Sequence, residues 1–173
     1  MRRLAAAVAL LALVALAGST GCRRKKKVKA REDGLASVVN VADPADSAQL
    51  VRGFSNVEAD AWRWTTSKFS VVLRPPAGSA QNGAVLQLAF TLHDTVVKKL
   101  GPVTVTATVN GTPMGSETYS QAGDYTYSKD VPASALGADV VTVEFSTDKS
   151  LAPTDVDKRE LALIVKTIGL VGK

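Results

Sequence analysis

From Gly53 onward, apolar and polar residues alternate with a period of two. Phe69, Val71 and Leu73 alternate with Lys68, Ser70 and Arg74, and Leu86, Leu88, Phe90 and Leu92 share a face opposite Gln87, Ala89 and Thr91. Val103, Val105, Ala107 and Val109 interleave with Thr104, Thr106 and Thr108, and the pattern continues through residues 124–131 and through Val141, Val143 and Phe145. Successive side chains of a strand point to opposite faces, so this period predicts strands with one buried face. Residues 160–170 are apolar on both faces, as a central or covered strand would be. No stretch beyond residue 53 keeps a helical period over three turns.

Turn signals punctuate these runs. Pro75-Pro76-Ala77-Gly78 and Asn82-Gly83 separate two of them, and Gly101-Pro102 precedes another. Asn110-Gly111 predicts a tight hairpin, because both residues tolerate the positive φ of a type I′ turn. Short strands with regular turns, and no internal repeat, predict an all-β fold: a single antiparallel β-sandwich, jelly-roll-like.

The first 46 residues have another character. Arg2 and Arg3 precede an uninterrupted apolar stretch over residues 4–17, then Gly18-Ser19-Thr20-Gly21 and Cys22. This describes a signal peptide over residues 1–21. Ser19-Thr20-Gly21-Cys22 resembles the lipobox of bacterial lipoproteins, with Ser19 where an aliphatic residue is usual, and the resemblance makes Cys22 the lipidated residue. The competing reading is an uncleaved transmembrane anchor, for which the apolar stretch is short against the ~20 residues of a span. Residues 22–46 read as a basic flexible tether, with residues 35–41 open to forming a short strand, and residues 47–173 as the sandwich domain.

Charge follows this division. The chain carries 21 Lys and Arg against 16 Asp and Glu, a formal +5. Residues 1–33 hold nine of the basic residues and two of the acidic ones, so 34–173 has 12 basic and 14 acidic residues, a net −2. A folded nucleic-acid binder needs basic groups clustered on its own surface, so nucleic acid is not an expected partner. The single Cys excludes an internal disulfide, and the single His excludes a His-rich metal site. No cofactor and no metal are expected.

Two clusters stand out. In the first, Gly53-Phe54 and Glu58 precede Trp62-Arg63-Trp64. The two Trp residues share one strand face with Arg63 on the other, and an exposed pair would offer sugar rings a stacking platform. Core packing of one or both is the better-favoured reading, on burial tendency. In the second, Asp155, Asp157, Arg159 and Glu160 lead into the last strand. They lack the glycine turn and distal Glu of a calcium loop, and structural ion pairing, with Glu58 to Arg159 one pairing open, is favoured over acid–base work. His93 reads as a strand-end histidine. Tyr119, Tyr125 and Tyr127 are surface or packing aromatics, the last two on one face. No nucleophile elbow, P-loop or dinucleotide fingerprint occurs, which argues against an enzyme.

At these clusters the chain resembles jelly-roll modules of bacterial surface-polysaccharide and glycosyltransferase-associated proteins. The resemblance lies in Gly53, Phe54, Glu58, Arg63 and Trp64 at the start and Asp157, Arg159, Glu160 and Leu161 at the finish, with Ala162 where glycine is usual. It covers about residues 53–170, implies a sandwich loosely associated with glycans, and supplies no catalytic residue. The expectation is a lipid-anchored lipoprotein of the bacterial cell envelope, in the outer membrane if the cell has two. Its non-catalytic module would bind envelope glycan through Trp62 and Trp64, with Arg63 or Tyr125 supplying polar contacts. The alternative is a structural lipoprotein that docks another envelope protein. A hydrolase using Asp155, Asp157 and Glu160 is a third reading.

Overall fold

The computed structural model describes residues 34–173. The expected signal peptide, Cys22 and the basic run that follows it lie outside the described residues. The alternating segments form strands: β1 (Val38–Asn40), β2 (Leu50–Glu58), β3 (Trp62–Leu73), β4 (Ala84–Leu92), β5 (Val103–Val109), β6 (Thr112–Tyr119), β7 (Gly123–Val131), β8 (Val141–Thr147) and β9 (Ile164–Gly172). Two short helices, α1 (Ser79–Asn82) and α2 (Asp94–Leu100), fill the β3–β4 and β4–β5 connections. All strand pairs are antiparallel. The strand order is β6-β5-β8-β3-β9-β4-β7, with β1 added to β9 and β2 to β3.

β3 belongs to both layers. Its first residues, Arg63 and Trp64, pair with β9, and Lys68–Leu73 pair with β8. Aromatic contacts close one layer onto the other. Tyr127 of β7 meets Phe145 of β8 edge-on with centroids 6.3 Å apart, and Phe90 of β4 meets Tyr119 of β6 at 5.0 Å. After β3 the chain passes to β4, back to β5 and β6, across to β7, back to β8 and across to β9. This alternation between layers is that of a jelly roll.

The core is the set of inward positions predicted by the period. Leu86, Leu88, Phe90 and Leu92 are buried, as are Val103, Val105, Ala107, Val109, Val141, Val143 and Phe145. Phe69 stacks on Phe145 at 5.0 Å. Each buried Val, Leu or Phe side chain of this set contributes roughly 1.5–3 kcal/mol on removal from water. In β9, Ile164, Val165, Ile168 and Leu170 are all buried, consistent with a strand flanked by β4 along one edge and by β1 and β3 along the other. The Asn110-Gly111 turn has φ of 47° and 79°, so both central residues take the left-handed geometry that joins β5 to β6.

One boundary moves. The tether was expected to end at residue 46, yet Val39 and Val41 are fully buried and Ala36 nearly so. Val38–Asn40 pair with Gly169–Thr167 of β9, and the buried Gln49 amide ties the segment down through Ala36 N, Ala36 O and Val72 O. The sandwich therefore begins near Ala36, because the edge of β9 beyond its short pairing with β3 needs a backbone partner.

Candidate functional site

The two ends of the sandwich differ. One end holds the β2–β3 turn, α2 and a long excursion between β8 and β9, and it gathers both clusters singled out in the sequence. The excursion, residues 148–163, has little regular structure. It is fastened by a Leu151–Leu161 bridge and by Glu160, whose carboxylate accepts from Ser67 N at 2.9 Å and Ser150 Oγ at 2.7 Å.

Trp64 faces Ile164 across β9, Ile164 faces Thr91, and Thr91 faces Asp124. Opposed residues of a sheet share a face, and Thr91 lies between the inward Phe90 and Leu92. Trp64 therefore sits on the outer side of its layer. It is still only 8% exposed, because Trp62 meets it edge-on at 6.3 Å and the His93 ring lies 5.6 Å away. The expected stacking platform is corrected here: Trp64 packs, and Trp62 alone of the pair is half-buried with ring surface left to solvent. Arg63 is corrected as well. Its Nε donates to Val41 O at 2.6 Å and its NH1 to Ser55 O at 2.8 Å, and burial lowers its pKa. These bonds tie β3 to β2 and to the residue after β1, and they fix the guanidinium to the frame.

Opposite Trp62 in the β2–β3 ladder stands Glu58. Its carboxylate accepts from Arg159 NH1 at 2.5 Å, while Arg159 Nε and NH2 grip both oxygens of Asp157 at 2.9 Å and 2.8 Å. The guanidinium holds the Asp157 carboxyl down at about 2, and its own pKa rises through the two carboxylates. Glu58, Asp157 and Arg159 thus form one ion cluster linking β2 to the excursion across 101 residues of sequence. Glu160 is held below the usual carboxylate range by the Ser67 and Ser150 donors. Asp155 points to solvent and pairs with Lys158 at 3.3 Å. The three carboxylates considered for hydrolysis face three different partners.

Between α2 and the excursion lies a cleft of about 360 Å³, lined by Thr95, Lys99, Leu151, Ala152, Thr154, Asp157, Arg159 and Leu161. Its walls are apolar, and charged groups stand at the rim. Thr95 and Lys99 come from α2, whose seven residues are too few to show a helical period. Its signals were nonetheless present: Asp94 in the first turn, Lys98 and Lys99 in the last, and Gly101 just beyond. His93 caps it, accepting from Thr95 N at 3.2 Å.

Tyr125 lies elsewhere. It packs on Phe90 and Tyr119 at centroid distances of 5.9 Å and 4.6 Å, and its hydroxyl donates to Gln121 O at 3.0 Å. Beside it a shallower hollow of about 240 Å³ holds Asp124, which accepts from Thr91 Oγ1 and from Lys166 Nζ. Both partners lower the Asp124 pKa. Three strand spacings, about 14 Å, separate the β3 row from the β7 row, so Tyr125 does not join the Trp62 cluster. Among the described residues no three His, Cys, Asp or Glu gather to hold a metal ion, and no helix is long and apolar enough to cross a membrane.

No protein-family model matches the chain. No curated protein matches it either. Among solved structures, it is similar to the CBM36-1 domain of a multidomain xylanase from the hindgut metagenome of Trinervitermes trinervoides, at 13% identity and a TM-score of 0.44 over 79% of this chain and 96% of that one. A family 35 carbohydrate binding module from an environmental isolate gives 13% and 0.46 over 72% and 88%. The carbohydrate-binding module CBM36 in complex with calcium and xylotriose gives 9% and 0.42 over 77% and 98%. A latent aurone synthase, a polyphenol oxidase, scores 0.43 at 14% identity. Similarity of this degree extends to neither family nor ligand.

Proposed function

We propose that the chain is a non-catalytic glycan-binding module of the bacterial cell envelope, held at the membrane by lipid on Cys22. The observation that carries the glycan reading is the composition of the cleft end. An apolar floor of Leu151 and Leu161 lies beside hydrogen-bonding groups from Thr95, Lys99, Asp157 and Arg159, near the half-buried ring of Trp62. A sugar ring presents C–H faces and hydroxyl edges, and such a surface matches both. In this reading Trp62 supplies the aromatic face, Lys99 donates, and the preorganised ion cluster offers carboxylate acceptors without rearranging.

Catalysis is disfavoured on charge grounds. Glycoside hydrolysis needs one carboxyl kept protonated near neutral pH, whereas Asp157 and Glu160 are both held ionised. Affinity electrophoresis of the full chain against a panel of envelope and plant polysaccharides tests the proposal. At least one glycan should retard it, and Trp62→Ala and Lys99→Ala should each weaken that binding about tenfold without unfolding the protein. Unchanged retardation in both variants, or a protein partner whose capture survives excess glycan, would overturn it.

A further inference from the structure

The end of the sandwich opposite the cleft is where the N-terminal segment departs. β3 runs from Trp62 at the cleft end to Leu73 at the other, and Arg74 N donates to Ala36 O at 3.1 Å. Gly34 lies directly on the Arg74 guanidinium, so close that a Cβ there would meet NH2 at 2.7 Å. Eleven residues lie between Cys22 and Gly34, a reach of at most about 40 Å, and they carry seven of the chain's basic side chains.

Exposed apolar side chains collect at this same end. Among the described residues five large hydrophobic side chains are exposed: Val38, Val51, Val140, Val156 and Val171. Single exposed valines are ordinary on a protein surface, but these are unevenly placed. Val38 pairs with Gly169 in the last half of β9, Val171 is the next-to-last residue of β9, Val51 follows Leu50, which opens β2 and pairs with Val71 of β3, and Val140 immediately precedes β8, whose first residue pairs with Leu73. Four of the five thus lie at the departure end, and only Val156 sits in the excursion at the cleft end.

We infer that the departure end is a membrane-contacting surface for an anionic bilayer, with Val140 and Val171 at its centre. The inference rests on Cys22 bearing lipid, as proposed above. Arg74 and Asp139 both line a hollow of about 500 Å³ there, so the contact is shallow, at the depth of lipid headgroups rather than of acyl chains. The basic run adds attraction to anionic headgroups. In this orientation the long axis of β3 stands away from the bilayer and carries the cleft roughly 35 Å from it, open to extended polymers.

The test uses the full lipidated chain with one added thiol, Val140→Cys or Val156→Cys, labelled with a polarity-sensitive fluorophore. Both positions are exposed, so neither substitution disturbs the core. The protein is reconstituted in phosphatidylethanolamine–phosphatidylglycerol vesicles with or without a headgroup-level spin-labelled lipid. The label at 140 should be quenched at least threefold more than the label at 156. Equal quenching, or stronger quenching at 156, overturns the orientation while leaving the anchor intact. Failure of the unlabelled protein to float with vesicles overturns the anchor and the orientation together.

Discussion

Gly53 occupies a bulge in β2, where the ladder with β3 shifts register between Arg52 and Phe54. Its φ is +80°, and a Cβ on it would lie 2.3 Å from the Lys68 carbonyl oxygen and 2.7 Å from Phe69 Cβ. Both neighbours belong to β3, at the point where Phe69 stacks on Phe145. In Gly53→Ala the left-handed backbone costs about 1–2 kcal/mol, and forcing β3 aside in a packed core adds about 1–3 kcal/mol. Gly111→Ala separates the two contributions, since its φ is +79° and no atom lies within 4 Å of the added carbon. It should lose only the backbone cost. Urea unfolding followed by Trp62 and Trp64 fluorescence measures both variants, with m unchanged if only stability moves. Gly53→Ala should fall below Gly111→Ala by about 2 kcal/mol. Equal losses in the two variants would refute the steric reading of the bulge. The same register places Glu58 opposite Trp62, so a loosened bulge should also weaken the link from Glu58 to Arg159.

Acid should destabilise the protein through the ion cluster. Asp157 has its folded pKa lowered to about 2 from 3.8, so its contribution is complete above pH ~4 and is lost as pH falls toward 2. Asp157→Asn should flatten that part of the stability–pH curve, and an unchanged curve would refute the role given to Arg159. Tyr127→Phe removes the bond from the buried phenol to Gly115 O, 2.7 Å long, and should cost about 1 kcal/mol in the same unfolding assay. In the unmodified protein burial raises the Tyr127 pKa to about 12, so its ultraviolet titration should trail that of an exposed tyrosine.

The strands were legible because one physical rule governs them: a half-buried strand shows its buried face every second residue. Residues 84–92 and 103–109 meet that rule with few exceptions, and Asn110-Gly111 fixed the intervening hairpin through backbone sterics alone. The inward set from Leu86 to Leu92 and from Val103 to Val109 followed directly. The division of charge between a basic N-terminal stretch and a near-neutral module was also a property of sequence alone. Short or irregular pieces were harder. Val38–Asn40 gives too few residues to establish a period, and α2 completes under two turns, so capping chemistry outweighs amphipathicity in specifying it.

The site depended on long-range packing. Local sequence places Trp62 and Trp64 on one face, but the His93 ring, brought from beyond β4 across β9, joins Trp62 in deciding that Trp64 is covered. Arg63 looked available for a ligand until the Val41 and Ser55 carbonyls converged on it. Glu58 and Arg159 lie far apart in sequence and meet only because β3 pairs with both β2 and β9. The sequence by itself determined the all-β character, the faces of the strands and the separation of charge, since each follows from neighbours within a few residues. Burial of Trp64, closure of the ion cluster and the cleft between α2 and the excursion were decided only in the tertiary structure, because each requires surfaces brought together from segments far apart in the sequence.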